Sequence, residues 1–359
     1  MHLSPALLAA ALFASTAFAA EPLWITHEGK AGPGKGKHIV FLAGDEEYRS
    51  EEGLPQLAKI LSERHGFKTT VLFSINPPGW SPREITDFKK ANPTAPTPQP
   101  TDPDPADGTI DPNEPANQPG MEALDSADLC VMLLRFRRWP DEQMKHFADY
   151  VAAGKPVIGL RTSTHAFSGL TGTYKAFNGF GKNVLGEGWV SHWGKHKSEA
   201  TRGVIEPAAK SDPLFRGVTD LFGDTDVYEA YPPADAKILV RGQVLKGMTP
   251  NDAPADYKKK RATDKEEQGV NDPAMPVVWT REVKNDAGKT NRLLCTTMGS
   301  STDLVNEGLR RLIVNTAYAF TGLEVPARAN VALVGEYTPS FYGFGGFKKG
   351  VKPADLMSQ

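Results

Sequence analysis

Short apolar runs alternate with helical patterns through the first half of this chain. HIVFLAG at 38–44 is apolar throughout, and the segment 53–66 that follows places leucine and isoleucine at helical spacing. Further apolar runs occupy 67–73, 127–134 and 155–160, and a second helical pattern begins at Pro140. Alternation of this kind predicts an α/β fold with a doubly wound, mostly parallel sheet, which binds ligands at the carboxyl ends of its strands.

The second half of the chain is less regular but continues the same domain. Strands are predicted at 202–207, 236–242, 275–283 and 291–297, and a last helix at about 301–321. The segment 77–119 holds 12 of the 29 prolines, which predicts a long surface insertion without a regular element, either a lid or a disordered loop. A second exposed insertion is predicted at 247–275. We therefore predict one domain at 36–325, followed by a Gly- and aromatic-rich extension at 326–359 that packs across the domain or a partner chain.

The N-terminus has the pattern of a secretory signal peptide. An apolar stretch from Ala6 to Phe18 is followed by small residues, and Ala17-Phe18-Ala19 fits the cleavage rule. We predict a signal peptide at 1–20 and an exported protein, periplasmic or extracellular, without a stable membrane anchor because the apolar stretch is too short to span a bilayer.

Charge and cysteine content exclude several functions. The formal net charge is −2, and no basic stripe is interleaved with aromatics, so nucleic acid is not an expected partner. Cys130 and Cys295 both lie in apolar runs, and we predict two buried thiols rather than a disulfide or a nucleophile. Neither a Walker loop nor a G-x-S-x-G elbow is present.

Polar residues follow the first and third predicted strands. Asp45, Glu46 and Tyr48 come directly after 38–44, where carboxylates could transfer protons or bind a cation, or simply favour the start of a helix. Arg135 begins RFRRW, a plausible contact for a carboxylate, a phosphate or a sugar ring, although surface ion pairs would also explain its arginines.

Two further groups of candidate residues lie later in the chain. Arg161 and His165 occupy the turn RTSTH after the strand at 155–160, where backbone N–H groups could meet an anion. In GEGWVSHWGKHK, His192 and His196 have a metal-compatible spacing only if the stretch is helical, and its glycines argue against a helix. Trp189 and Trp193 around His192 are more typical of a platform for a sugar ring.

These residues resemble the ThuA-like (trehalose utilization) family, which has a class I glutamine amidotransferase-like, flavodoxin-like fold. The resemblance rests mainly on LLRFRRWPDEQMKHFADYVAAGKPVIGLRTSTHAF, with LGEGWVSHWG, DPLFRGV and PVVWTREV as further marks. Against the amidotransferase pattern P-V-x-G-x-C-x-G-x-Q, Arg161 takes the position of the cysteine and His165 that of the glutamine. The resemblance therefore implies no glutaminase activity.

The family comparison adds two residues to the candidate site and shows two positions at which this chain differs from the family pattern. Asp226 and Tyr228 match the ends of the family pattern Asp-Glu-x-Tyr only loosely, because Val227 replaces the glutamate, and Ser300 stands where many relatives have histidine. The resemblance implies carbohydrate metabolism, with links to keto-sugars and glycosides. We assign His165, His192 and Asp226 to catalysis, and the other candidates to substrate binding.

The leading hypothesis is an exported enzyme, a hydrolase, lyase or isomerase, that acts on a carbohydrate derivative by acid–base chemistry. A non-catalytic carbohydrate-binding or assembly protein is the first alternative, and a divalent-metal-dependent sugar enzyme is the second. The sequence requires no cofactor and identifies no confident metal ligand, although a divalent metal is compatible with it. The expected partner is a small carbohydrate, and a homo-oligomer is compatible with the sequence.

Overall fold

A computed structural model describes residues 22–80 and 82–357. The predicted signal peptide lies outside the described residues. The strands are β1 Trp24–His27, β2 His38–Gly44, β3 Lys68–Phe73, β4 Leu129–Leu134, β5 Val157–Leu160, β6 Ser191–His192, β7 Thr201–Ile205, β8 Phe222–Gly223, β9 Tyr228–Glu229, β10 Lys237–Val244, β11 Lys258–Lys260, β12 Glu267–Gly269, β13 Met275–Lys284 and β14 Thr290–Thr296. The α-helices are α1 Ser50–His65, α2 Pro82–Ala91, α3 Asp141–Ala152, α4 Glu307–Phe320 and α5 Pro353–Met357.

Short helical turns connect these elements. The 3-10 turns are Met121–Ser126, Arg161–His165, Gly172–Gly179, Pro207–Ala209, Pro213–Phe215 and Asp303–Val305, and Gly181–Leu185 is a π-helical turn. No helix in the described ranges is long and apolar enough to cross a membrane.

A ten-stranded sheet forms the centre of the fold, in the order β1-β3-β2-β4-β5-β14-β13-β10-β7-β8. Its four parallel pairs join β3, β2, β4, β5 and β14, and its five other pairs are antiparallel. The α/β prediction is confirmed, but the sheet is mixed rather than mostly parallel. The physical reason is connection length: the turn at 285–289 joins β13 directly to β14, and so short a link permits only an antiparallel pair.

Both faces of the parallel part are covered. Ile39 and Phe41 of β2 belong to a buried cluster that also contains the apolar residues of α1 and α4. Val40 and Leu42 point the other way, into a cluster with Phe147 of α3. Because successive side chains of a strand alternate between faces, the continuous apolar runs reflect burial on both sides.

The structure corrects two local predictions. The insertion 77–119 contains a regular element, since α2 occupies Pro82–Ala91. The insertion predicted at 247–275 carries the β11–β12 hairpin. The last helix begins at Glu307 and not near 301, because the Asn306 side chain caps it by accepting the N–H of Leu309 at 2.8 Å. Cys130 and Cys295 are buried free thiols, as predicted, and burial raises the pKa of both.

The C-terminal extension packs across α1. Gln56 donates to the carbonyl of Val334, and Nε2 of His65 lies 2.8 Å from the carbonyl oxygen of Asn330. The Arg310 guanidinium of α4 donates to the carbonyl of Val331. The extension is thereby tied to two helices of the domain.

A buried acid in α1 gives the first testable prediction. Glu51 is 8% exposed, and neither of its carboxylate oxygens has a hydrogen-bond partner in the described part of the chain. Burial raises the pKa of Glu51 from 4.5 to about 8. Between these values the folded protein keeps a proton that the unfolded chain has released, so Glu51 lowers the free energy of unfolding by about 1.4 kcal/mol per pH unit as pH rises.

We therefore expect Glu51→Gln to remove this slope. Urea unfolding at several pH values between 5 and 8 should show a flatter dependence for the variant than for the parent protein. Glu324→Gln is the control, because the Glu324 side chain is 91% exposed. Equal slopes for the parent protein and Glu51→Gln would show that Glu51 does not hold its proton in the folded state.

Candidate functional site

Strained backbone marks the carboxyl ends of the parallel strands. Five non-glycine residues in the described ranges have positive φ, and four lie in the loops of this region: Arg49 (57°), Phe136 (52°), Arg161 (42°) and Lys197 (60°). Side chains in this conformation cost free energy and persist where the surrounding structure holds them, which is typical of functional sites. The sheet edge predicted to bind ligands is therefore also where the backbone is most strained.

Arg161 is a fully buried hydrogen-bond donor at the centre of this region. Its Nη1 donates to the carbonyl oxygens of Asp226 (2.6 Å) and Thr297 (2.7 Å), and its Nη2 donates to Oδ1 of Asp226 (2.8 Å) and to the Tyr48 hydroxyl (3.2 Å). The guanidinium carbon lies 3.7 Å from the ring centre of Tyr228 and 4.6 Å from that of Tyr48. These contacts fix the Asp226 carboxylate in place.

Asp226 joins the buried arginine to two histidines. Its Oδ2 lies 2.8 Å from Nδ1 of His192, and its Oδ1 lies 3.0 Å from Nδ1 of His196. Burial alone raises the pKa of Asp226, but the Arg161 charge and the hydrogen bonds from both histidines outweigh it and hold the pKa well below its ordinary value. Asp226 is thus a carboxylate at any physiological pH.

His196 is held as a cation. Its second ring nitrogen, Nε2, lies 3.0 Å from Oε1 of Glu47, so both nitrogens face carboxylate oxygens that only accept hydrogen bonds. The hydrogen bonds to Asp226 and Glu47 raise the pKa of His196 to about 9. The stabilisation that this proton brings is complete below pH 6.5 and is lost as pH rises through 9.

His192 differs from His196 in leaving one ring nitrogen without a carboxylate partner. Its side chain is 35% exposed, and β6 pairs with β9 so that His192 lies opposite Tyr228. Because Asp226 can only accept, the Nδ1 of His192 carries the proton and its Nε2 is the basic nitrogen. The Trp189 ring lies edge-on, 4.9 Å from the His192 ring centre.

His165 lies on the other side of Trp189 and is a weak base. Its ring centre is 5.2 Å from that of Trp189 and 5.1 Å from that of Phe136, and its Nδ1 is 3.0 Å from the Thr164 hydroxyl. Burial, and then the nearby charges of Arg135 and Arg161, lower the pKa of His165 to about 3. The ring is therefore neutral wherever the protein is folded at ordinary pH.

The acids after β2 hold the site loop together. Asp45 is buried and accepts from the backbone N–H groups of Glu47 and Tyr48 and from the Thr162 hydroxyl, and burial raises its pKa. The Glu46 carboxylate lies between two guanidinium groups, with Arg135 on one oxygen and Arg137 at 3.2 Å from the other.

The structure therefore separates the predicted site residues into two sets. Trp189, His192, His165, Arg135 and Glu46 are partly exposed and can meet a ligand. The second set is buried behind the histidines: Asp45, Tyr48, Arg161, Asp226 and Tyr228. For the buried set the geometry indicates a positioning role, and substrate contact stays a prediction.

Sequence reasoning did not select Glu47, left His196 outside the candidate site and misplaced Trp193. The spacing of His192 and His196 was visible, but it was tied to a helix; the stretch is not helical, and the rings are brought to 4.4 Å by their shared carboxylate. Trp193 is no platform, because it is fully buried and donates to the carbonyl of Val270.

Within residues 22–80 and 82–357, one group of side chains has the arrangement of a metal site. The ligand atoms of His192, His196 and Asp226 all lie within 4.8 Å of one another. Two imidazoles and a carboxylate suit zinc and other transition metals. In this structure, however, all three groups are joined to one another or to Arg161 and Glu47 by hydrogen bonds.

Comparisons with known proteins give a likeness in structure only. No protein-family model and no curated protein matches the chain. A solved structure from Parabacteroides merdae described as ThuA-like is 14% identical, with a TM-score of 0.45 over 81% of this chain and 92% of that one. A second, from Bacteroides uniformis, is 13% identical, also with a TM-score of 0.45, over 81% and 93%. Their description agrees with the family that the sequence resembles, and at these values it carries no argument about the site.

Proposed function

We propose that this chain is an exported ThuA-like enzyme that transfers protons on a carbohydrate derivative, with His192 as the proton acceptor. One observation carries the proposal: a partly exposed imidazole whose Nδ1 lies 2.8 Å from a buried carboxylate. If the five parallel strands are numbered by their order in the chain, their order across the sheet is 2-1-3-4-5. Flavodoxin-like sheets have this order, which supports the finer fold assignment. Export rests on the N-terminal sequence pattern.

The hydrogen bonds around His192 define its role. Asp226 orients the ring and stabilises the imidazolium that forms when Nε2 takes a proton from the substrate. Arg161 keeps Asp226 ionised and immobile throughout. In the reverse direction, the same imidazolium returns the proton to the substrate.

The surroundings of His192 supply binding and charge. The His196 cation, with its ring centre 4.4 Å away, favours a substrate on which negative charge develops. Trp189 and the neutral His165 suit a sugar, because the indole can pack on an apolar ring face and the imidazole can exchange a hydrogen bond with a hydroxyl.

A turnover screen tests this function. We expect the purified protein to convert at least one member of a panel of glycosides and their 3-keto derivatives, followed by NMR. Binding across the panel without conversion of any member would favour the non-catalytic alternative. If no member of the panel is bound or converted, that result would contradict the carbohydrate assignment.

The arrangement of His192, His196 and Asp226 also favours a metal-dependent enzyme as a second candidate. A metal would have to displace the protons of His196 and compete with Arg161 for Asp226, so we rank it below acid–base chemistry. We expect the protein dialysed against EDTA to keep both its turnover and its melting temperature. One equivalent of bound metal that is lost in His192→Ala would reverse this ranking.

A further inference from the structure

The C-terminal extension reaches the candidate site. The N–H of Gly343 donates to the carbonyl of Glu47 at 2.8 Å, and Arg49 donates to the carbonyl of Gly343 at 2.6 Å. The buried Tyr342 ring lies 5.2 Å from Tyr48 and 5.6 Å from His196, between ring centres. The extension is therefore in contact with the same loop and histidine that form the site.

Close approach holds this segment in one place. A Cβ at Gly346 would lie 2.4 Å from Nη2 of Arg49, so a larger residue at this position would require the Arg49 side chain to move. Arg49 is itself buried and has a φ of 57°.

Exposed aromatic rings are concentrated beside the site. The described part of the chain exposes seven large hydrophobic side chains, and its four aromatic ones, all between 38% and 60% exposed, are Phe136, Trp189, Phe341 and Phe344. Phe136 and Trp189 both lie against His165. The other two, Phe341 and Phe344, flank Tyr342 in the extension.

Arg135 connects the two groups of rings. Its guanidinium carbon lies 4.5 Å from the ring centre of Phe136 and 5.0 Å from that of Phe344. The ion pair with Glu46 holds this guanidinium in place. A continuous aromatic surface with a cation in its middle thus runs from the histidines to the C-terminal extension, and such a surface suits a ring with one apolar face and a polar edge.

We propose that Phe344 and Phe136, on either side of Arg135, form a second ring-binding subsite, so that the substrate carries a ring or ring-sized apolar group beyond the sugar held at His192. This inference rests on the proposed function. Phe344 is then a specificity-determining residue supplied by the extension, and it acts on the affinity for the second ring without affecting the first.

Matched pairs of methyl and phenyl β-D-glycosides, with gluco, galacto and manno rings, test the subsite by titration calorimetry. We expect the phenyl member of a bound pair to bind about threefold to tenfold more tightly than the methyl member. Phe344→Ala should bring this ratio close to one and leave the affinity for the methyl glycoside unchanged. Val204→Ala, which truncates an exposed apolar side chain on β7, should keep the ratio.

The outcomes separate this inference from the proposed function. Equal affinities of the two members for the parent protein, or an unchanged ratio in Phe344→Ala, would overturn the subsite alone. Failure of every pair to bind would overturn the carbohydrate assignment, and the subsite with it. Circular dichroism of Phe344→Ala establishes that a lost ratio does not come from unfolding.

Discussion

His192→Ala should lower the turnover of the carbohydrate substrate by about 10²–10⁴-fold, the usual effect of losing a general base. The ring lies at the surface of the site, so its removal should leave the fold intact. We expect kcat to fall more than KM rises, because proton transfer occurs in the transition state. The Trp189 and His165 rings that bind the sugar remain in the variant. Initial rates over a range of substrate concentrations measure both constants.

His146→Ala is a matched control for this variant. The Nδ1 of His146 lies 2.8 Å from Asp125 on the surface, the same pairing as in the candidate site. It should leave turnover unchanged. If His192→Ala retains parent kcat, His192 is not the proton acceptor, and an equal loss in both variants would point to a general effect of histidine–aspartate pairs on the fold.

Arg161→Met should have the largest effect on stability. It removes the fully buried charge that faces Asp226 and leaves that carboxylate with the partly exposed His196 as its remaining cation. Breaking one side of a buried ion pair costs about 3–5 kcal/mol, so we expect the free energy of unfolding to fall by that amount in urea titrations.

Two further variants identify the origin of this loss. Arg328→Met removes an ion pair with Glu307 in which both side chains are more than half exposed, and it should cost no more than about 1 kcal/mol. The double variant Arg161→Met/Asp226→Asn removes both buried charges and should be more stable than Arg161→Met alone. If the double variant is no more stable, the loss comes from the packing and carbonyl hydrogen bonds of Arg161 and not from the charge left at Asp226.

The sequence could predict the elements that its local pattern encodes. The apolar run at 38–44 is β2 to the residue, and β3, β4 and β5 begin within two residues of their predictions. These strands are buried on both faces, so every position carries the signal. The antiparallel pairing of β13 with β14 was harder to predict. It follows from the short turn between the two strands and not from their apolar pattern.

The candidate site was predictable in part. Choosing polar residues that directly follow a predicted strand selected Arg161, Asp45 and Glu46, and all three lie in the candidate site. It could not distinguish a buried positioning residue from one that meets the ligand, because both are polar and follow a strand. Glu47 and Tyr342 reach His196 from 149 and 146 residues away in sequence, and such contacts leave no local pattern.

Deuterium exchange tests proton transfer at His192 most directly. In D₂O, the protein should catalyse incorporation of deuterium at the carbons next to the carbonyl of methyl 3-keto-β-D-glucoside, and ¹H NMR would follow the loss of those proton signals. We predict exchange well above the buffer rate for the parent protein and for His146→Ala, and exchange at the buffer rate for His192→Ala. Parent protein that exchanges no faster than buffer, or His192→Ala that exchanges as fast as the parent, would contradict the assignment of His192 as the proton acceptor.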